Sequence, residues 1–221
     1  MTGREDRQAE APTGFEDLLE ANAAFASRFA LGGFDGIAHR GVAIVTCMDS
    51  RIDPLGMLGL VAGDAKILRD LGGRVTDDVL AGIVLATNLL MVERVLLIAH
   101  TRCAVASNSE AELRERVGRA THADASWMSF HSIADQSAAL PRGRRRVRSH
   151  PLVPDTVLVG GFMYDVDTGL LRQWCEAPGR EGAHAARDPA HRSVPTPSAA
   201  GRDEGHAMAC QAAHDRPPRH A

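Results

Sequence analysis

Lysine, aromatic side chains, cysteine and net charge are all scarce in this chain of 221 residues. Lys66 is the single lysine among 25 basic residues, aromatic residues make up 4% of the sequence, and the formal net charge is −3. A chain with so little net charge and no basic stripe is not expected to bind nucleic acid through bulk electrostatics. Four cysteines in a chain of this length make no disulfide scaffold. Metal binding and catalysis are therefore the roles to consider for them.

Long apolar runs are also missing. The stretch from Met1 to Thr13 is polar and lacks the apolar core of a signal peptide. The longest apolar run, Val79 to Val92, contains Thr87 and Asn88 and is shorter than the roughly 20 residues that a membrane span needs. We therefore expect no membrane partner, and a cytoplasmic protein with reduced thiols.

The composition changes sharply near Glu176. Every aromatic residue lies at or before Trp174, and the sizeable apolar side chains of the segment from Ala177 to Ala221 are only Val194 and Met208. Such a segment cannot bury enough surface to offset its ordering entropy. We predict a flexible N-terminus over residues 1–14, one domain over residues 15–176 and a disordered tail over residues 177–221.

Within the domain, short apolar runs alternate with segments of helical character. An apolar stripe at helical spacing predicts an amphipathic first helix, formed by Phe15, Leu18, Leu19, Phe25 and Phe29. Strands are predicted over residues 42–46, 65–68, 95–99, 156–162 and, at an edge, 170–174. Further helices are predicted from the N-cap Thr76 to about Leu90 and over residues 110–119. This alternation predicts an α/β fold with a mainly parallel sheet flanked by helices.

The run from Ala139 to Arg146 interrupts a segment that is otherwise typical of an amphipathic helix. Pro141 lacks the amide proton that a helix interior uses, and Gly143 is also a poor residue for that position. We therefore predict a frayed surface helix here. Because the run is rich in arginine, anion binding is the alternative.

Two of the four cysteines stand in an arrangement that indicates a metal site. Cys47 directly follows the first predicted strand, and His100 directly follows the third. The carboxyl ends of parallel strands lie along one edge of a sheet, so these two side chains should face each other. Cys103 can share a face with His100 if the chain turns into a helix there. Two thiolates and one imidazole form a zinc set that leaves a fourth position open.

The bland alternative for each thiol is a small buried hydrophobe. That explanation suits Cys47 or Cys103 taken singly, but it is weak for three such residues that follow two strands. For Cys175 and Cys210 we retain the interpretation without a functional role, because Cys175 ends a predicted edge strand and Cys210 lies in the predicted tail. A redox pair has little support, since no Cys-x-x-Cys motif exists.

The pattern Cys47-Met48-Asp49-Ser50-Arg51, followed later by His100-Thr101-Arg102-Cys103, resembles the β-class carbonic anhydrases. The likeness extends from the first helix to about Trp174, including the segment from Ile67 to Gly73, and is closest to short members of actinobacterial type. The resemblance implies zinc ligation by Cys47, His100 and Cys103, with Asp49 and Arg51 as a catalytic carboxylate–guanidinium dyad. It also implies reversible hydration of carbon dioxide to bicarbonate and a proton by a zinc-bound hydroxide.

The chemistry of such a site explains why a dyad is needed. Two thiolates already neutralise Zn²⁺ and weaken it as a Lewis acid. Asp49 and Arg51 are two residues apart, so on an extended segment they point the same way. Pairing with Arg51 keeps the carboxylate as a hydrogen-bond acceptor and away from the metal. In some family members the aspartate itself closes the fourth position at lower pH, and Asp49 is the residue that could do so here.

The sequence departs from the family pattern beside the histidine motif and after the second strand. Arg102 and Ala104 replace the small or acidic residue and the glycine that members often carry, and Asp70 stands where many have asparagine. We expect Arg102 to point outward into solvent, although a cation beside the zinc could also attract anions. The resemblance further implies a substrate pocket built partly by a neighbouring subunit, hence a homodimer or homotetramer.

Two competing functions remain open at this point. The same zinc chemistry could hydrolyse carbonyl sulfide or carbon disulfide, as some short relatives do, and the shape of the pocket would decide between the substrates. A non-catalytic zinc-binding homologue is the alternative from another class. The presence of all three ligands and both dyad residues weighs against it.

The compositional change predicts that the tail is dispensable. Truncation after Glu176 should leave folding and zinc content intact, because residues 177–221 have almost nothing to bury. Thermal denaturation and elemental analysis of the truncated protein check this. A melting temperature lowered by more than a few degrees would show that the tail packs on the body.

Overall fold

The computed structural model describes residues 14–174, so the predicted tail and most of the predicted N-terminal segment lie outside the described residues. The chain divides into two compact units on either side of Gly36 and Ile37, and each is described by itself. The helices are α1 (Glu16–Ala26), α2 (Asp77–Leu89), α3 (Ala104–Ser107), α4 (Glu110–Thr121) and α5 (Gln136–Arg148). The strands are β1 (Val42–Cys47), β2 (Ala65–Asp70), β3 (Arg94–His100), β4 (Leu158–Tyr164) and β5 (Leu171–Gln173).

The first unit contains α1. The predicted apolar stripe does form a helix, which ends at Ala26, so that Phe29 lies beyond it. The rings of Phe25 and Phe29 pack at a centroid distance of 5.6 Å. The five apolar side chains of the predicted stripe are all exposed.

The second unit is built on a five-stranded sheet in the order β2-β1-β3-β4-β5. The first four strands in this order run parallel, and β5 joins the edge antiparallel to β4. This is the mainly parallel α/β sheet that the sequence predicts. The predicted start of the fourth strand at Thr156 is wrong. The amide of Val157 instead closes a turn on the carbonyl of Pro154, and pairing with β3 begins at Leu158.

Apolar side chains cover both faces of the sheet. Every residue of β1 is buried, as expected of a strand with both faces covered. On one face, residues such as Val45 and Leu97 pack with α2 and α5. On the other face, Ile44 and Ile98 belong to a second cluster that also contains Cys47 and Cys103. None of the helices in the described part of the chain is long and apolar enough to cross a membrane.

The prediction of a frayed helix around Pro141 is wrong. Helix α5 runs without a break through Pro141, and its residues Leu140, Pro141 and Val147 are buried. A Cβ at Gly143 would lie 3.3 Å from a methyl group of Val75, so glycine there lets the helix pack closely. The side chain of Asp135 caps the N-terminus by accepting from two backbone amides. Tertiary packing and capping therefore override the weak helix propensity.

A glycine turn joins β2 to α2 directly beneath the ends of β1 and β3. Gly72 and Gly73 both have positive φ, at 72° and 68°. A Cβ at Gly73 would lie 2.6 Å from the carbonyl oxygen of Ile98 and 3.2 Å from the Cα of Thr46. These contacts are with backbone atoms, which cannot swing aside. The position therefore requires glycine for its conformation and for its space.

Substitution of Gly73 tests this close approach. Gly73→Ala should lower the free energy of unfolding by more than about 2 kcal/mol, because a left-handed conformation and a backbone clash add together. Gly59 is the matched control, since its φ is 66° but a Cβ there meets nothing within 4 Å. Gly59→Ala should therefore cost only the conformational part, about 1 kcal/mol. Equal losses of stability in urea denaturation of the two variants would contradict the argument.

Candidate metal centre

Two neighbouring strands deliver the candidate ligands to one edge of the sheet. Cys47 is the last residue of β1 and His100 the last residue of β3, and these strands pair in parallel. One ligand atom from each of Cys47, His100 and Cys103 lies within 4.8 Å of the other two, and all three residues are buried. The structure thus brings together the three residues that the sequence predicts as zinc ligands.

A tight turn, and not a helix, places Cys103 beside His100. Helix α3 begins only at Ala104, with Cys103 as its N-cap residue. Arg102 adopts a left-handed conformation with φ of 53°, which reverses the chain between the two ligands. The Thr101 amide donates to the carbonyl of Tyr164 and fixes the turn to the end of β4. A turn, and not the helix that was considered as a route, therefore brings Cys103 to His100.

His100 presents one unpartnered nitrogen in a buried environment. Its Nδ1 lies 2.9 Å from the carbonyl oxygen of Thr101, and because a carbonyl only accepts, Nδ1 carries the proton. Nε2 then has a lone pair, and it is buried with no hydrogen-bond partner among the described residues. Such an orphaned acceptor is costly unless something binds it. An imidazole held through one nitrogen, with the other free, is the usual arrangement of a metal-binding histidine.

The two thiols interact with each other and with a backbone amide. The Cys103 thiol donates to Cys47 Sγ and, together with the Gly72 amide at 3.3 Å, lowers the pKa of Cys47. That bond and burial raise the pKa of Cys103. A sulfur that accepts several hydrogen bonds at low pKa is a ready thiolate ligand. The chemistry of the donor set therefore fits a thiophilic ion such as Zn²⁺.

Asp49 and Arg51 form a two-pronged ion pair just beyond Cys47. Arg51 Nε lies 2.9 Å from Asp49 Oδ1, and one terminal nitrogen lies 2.7 Å from Oδ2. The Arg51 backbone amide also donates to Oδ1 at 3.0 Å, so the segment is a turn and not the extended stretch that we expected. The guanidinium hydrogen bonds hold the pKa of Asp49 well below its usual range. Asp49 is not part of the group whose ligand atoms lie within 4.8 Å.

Arg69 is a residue that the sequence analysis did not single out as part of the site. Its guanidinium donates to the carbonyl oxygens of Cys47 at 3.0 Å, Asp49 at 3.3 Å and Ile52 at 2.7 Å. These three carbonyls span the whole loop that carries the dyad. The sequence does show an arginine near the carboxyl end of β2, the strand that neighbours β1. The pairing of β2 with β1 cannot be deduced from a single sequence, so the contact of Arg69 with the loop after β1 could not be predicted.

Gln136 is a second such residue. Its Nε2 donates to the backbone carbonyl of His100 at 3.2 Å. Gln136 is the first residue of α5, so this bond ties the N-terminus of that helix to the end of β3. No feature of the local sequence indicates the contact, because it depends on where the helix packs.

The departures from the family pattern have simple structural outcomes. Arg102 points outward, as predicted, and forms an exposed ion pair with Asp167. Asp70 Oδ1 accepts from the Leu71 amide at 2.7 Å and lies 4.0 Å from a terminal nitrogen of Arg74. Asp70 Oδ2 is buried without a partner among the described residues.

Comparison with known proteins agrees with this fold. Residues 42–171 match the family described as carbonic anhydrase. The chain is 31% identical over 158 residues to beta-carbonic anhydrase 1 of Mycobacterium tuberculosis, covering 72% of this chain and 96% of that protein. It is 28% identical to a carbon disulfide hydrolase of Acidithiobacillus thiooxidans, covering 70% of this chain and 87% of the relative. A carbonic anhydrase structure from Streptococcus mutans matches with a TM-score of 0.67 and 33% identity, covering 75% of this chain and all of that one.

The chain therefore belongs to the β-carbonic anhydrase family. Carbon disulfide hydrolases are also among the relatives to which the chain is similar. Membership was predicted from the two cysteine- and histidine-containing motifs, and the comparisons confirm it. The roles of the individual site residues remain predictions.

Metal analysis tests the ligand set. The protein should hold close to one zinc per chain, and Cys47→Ser and Cys103→Ser should each release it at neutral pH, because serine is a poorer and harder ligand. Cys210→Ser, at a cysteine without an assigned role, is the matched control and should retain zinc. Circular dichroism verifies that each variant is folded. Full zinc occupancy in both site variants would refute the assignment.

Proposed function

We propose that this protein catalyses the reversible hydration of carbon dioxide to bicarbonate and a proton. The observation that carries the proposal is the Asp49–Arg51 pair, which lies directly beyond the Cys47, His100 and Cys103 cluster. A metal store needs only the ligands. A carboxylate locked by two guanidinium nitrogens beside an incomplete ligand set is instead a device for orienting a reacting water.

Cys47, His100 and Cys103 would hold zinc, since they supply two thiol sulfurs and an imidazole nitrogen with a free lone pair. Bound there, zinc supplies the Lewis acid that lowers the pKa of water from about 15.7 towards neutrality. The remaining chemistry falls to the side chains around it. The Gly72 amide stabilises the Cys47 thiolate, and the Thr101 carbonyl orients the imidazole ring.

Asp49 acts as an acceptor for the reacting water, and Arg51 keeps it in that role. Both carboxylate oxygens bind Arg51, so the charge of Asp49 is directed to the guanidinium and is not free to occupy the metal. Arg51 also donates to the backbone carbonyl of Arg102 at 3.3 Å. This contact ties the loop after β1 to the loop after β3, and so relates the dyad to the ligands on both strands.

The surroundings of the thiols suit an apolar substrate. Cys47 and Cys103 lie in a cluster with Ile52, Val105 and Ile133, all of which are buried. Carbon dioxide has no net dipole and needs few polar contacts, so an aliphatic environment admits it without a desolvation cost. No residue of the site is assigned as a proton shuttle, and the released proton can pass directly to buffer.

We also propose that the protein is a cytoplasmic homo-oligomer. The exposed apolar side chains of α1 support burial against another copy of the chain in a homodimer or homotetramer. The free thiols Cys47 and Cys103 suit the reducing cytoplasm, where we place the protein.

Hydrolysis of carbon disulfide or carbonyl sulfide is the second candidate. The 28% identity to a carbon disulfide hydrolase over 70% of this chain favours it, and the apolar cluster suits these substrates equally. Stopped-flow hydration of carbon dioxide, run in parallel with sulfide release from both sulfur compounds, decides between them. Sulfide release without measurable hydration would overturn the first proposal in favour of the second. Zinc binding without either activity would favour a non-catalytic homologue.

The dyad variants separate catalysis from zinc storage. Arg51→Ala should retain zinc and lose about a hundredfold or more in hydration rate, because the freed Asp49 can compete with water for the metal. Asp49→Ala should also lose activity, since the acceptor is gone. The double variant should be little worse than Asp49→Ala, because Arg51 acts through Asp49.

Arg119→Ala is the matched control for these variants. Arg119 forms an exposed ion pair with Glu115 on α4, and its loss should change neither zinc content nor rate. An active wild type whose Arg51→Ala variant keeps the full rate from about pH 7 to 9 would refute the role of the dyad.

A further inference from the structure

A cavity lies beside the glycine turn. It has a volume of about 260 Å³ and is bounded by Gly72 and Gly73 on one side and by helix α5 on the other. Its apolar wall includes Val75, Leu97 and Leu140, which belong to the cluster between the sheet and the helices α2 and α5. Cys47 and Cys103 belong to the second cluster, and so do Ile133 and Ala139 of the cavity lining, so the cavity reaches the edge of that cluster.

Three arginines, Arg74, Arg142 and Arg146, are among the residues that line this cavity, and none of the acidic residues that the structure describes lines it. Arg142 and Arg146 are four residues apart on α5, so they share one face of the helix. The acidic neighbours of the three arginines, Asp135 near Arg142 among them, lie outside the lining. Asp77, which pairs with Arg146, is 95% exposed, and Asp70 lies 4.0 Å from Arg74.

This arrangement leaves an excess of positive charge over low-dielectric walls. Exposed or long ion pairs neutralise charge weakly, whereas apolar walls strengthen the field inside a cleft. The planar fork of arginine matches the paired oxygens of a carboxylate or a phosphate group. The volume and the aliphatic wall leave room for an apolar body besides the anionic group.

We propose that this cavity binds a small organic carboxylate, with its anionic group on the arginines and its apolar body against the aliphatic wall. The arginine-rich run of α5 was singled out in the sequence, and the function proposed above makes no use of it. The frayed helix expected there would have scattered these side chains. The continuous helix instead brings Arg142 and Arg146 together with Arg74, which belongs to a different part of the chain.

The lining also includes two residues that contact the metal centre. Gly72 donates its amide to Cys47 Sγ, and Gln136 donates to the backbone carbonyl of His100. An occupant of the cavity therefore touches residues that hold two candidate ligands in place. Binding at the two sites should be coupled, and the coupling must be reciprocal. This part of the inference rests on the ligand set of the proposed function, whereas carboxylate binding itself does not.

Titration calorimetry of the full zinc-loaded chain with benzoate tests the site, and neutral benzamide serves as the isosteric probe. Benzoate should bind saturably, at one molecule per chain, and benzamide should not. Arg142→Gln should weaken binding about tenfold, and Arg142→Gln with Arg146→Gln should weaken it further, since each removes a charged partner. Arg148→Gln, on the same helix but outside the lining, is the matched control and should bind as the wild type does.

The outcomes separate this site from the metal centre. Binding lost in Cys103→Ser but kept in the double arginine variant would place the carboxylate at the metal and overturn the proposal. An equal loss of benzoate binding in Arg148→Gln would show that bulk charge, and not the cavity, attracts the anion. A lack of saturable binding in the wild type would show that the cavity is closed in the assembled protein. Either result would overturn the proposal. Coupling is read from the absorption of the cobalt(II)-substituted protein, whose thiolate bands should shift with benzoate in the wild type and stay fixed in Arg142→Gln. Neither readout depends on hydration activity.

Discussion

The parallel pairing of β1 with β3 is the constraint on which the site depends. These two strands stand at the centre of the sheet, and their successors β2 and β4 lie on opposite sides of them. Strand order therefore reverses between β1 and β3, and in open α/β sheets the crevice at such a point receives the ligand. Residue pairing between the two strands extends from Val42 opposite Arg94 to Val45 opposite Leu97. The Gly73 turn approaches the backbones of Thr46 and Ile98, just beyond the last pair.

That close approach makes the glycine turn a part of the site. Because Gly73 packs against the backbones of β1 and β3, the neighbouring Gly72 amide comes within hydrogen-bond distance of Cys47 Sγ. Arg69, just before the turn, binds three carbonyls of the dyad loop, so β2 holds the loop that β1 presents. Arg51 then crosses to the carbonyl of Arg102. The candidate ligands and the dyad are thus positioned mostly by backbone hydrogen bonds, which tolerate wide variation of the surrounding apolar residues.

How far the sequence predicts this arrangement depends on the range of each interaction. The strands over β1 and β3, the Thr76 cap and the meeting of Cys47 with His100 follow from local patterns and from the geometry of parallel sheets. The break expected at Pro141 was wrong, and Cys103 meets His100 through a turn and not through the helix that was considered as a route. The error at Pro141 came from applying local propensity where distant packing decides. Arg69 and Gln136 were missed for the same reason, since their partners lie on other elements.

Helix α5 illustrates how residues that are poor for a helix become suitable in context. Gly143 on α5 leaves space for close packing, because a Cβ there would lie 3.3 Å from a methyl group of Val75 and 3.5 Å from one of Leu97 on β3. Close packing of this kind buries apolar surface and offsets the hydrogen bond that Pro141 cannot make. It also fixes the first residue of α5, Gln136, against the end of β3. The packing that keeps α5 continuous therefore also places Gln136, a residue of the cavity lining, against the candidate metal centre.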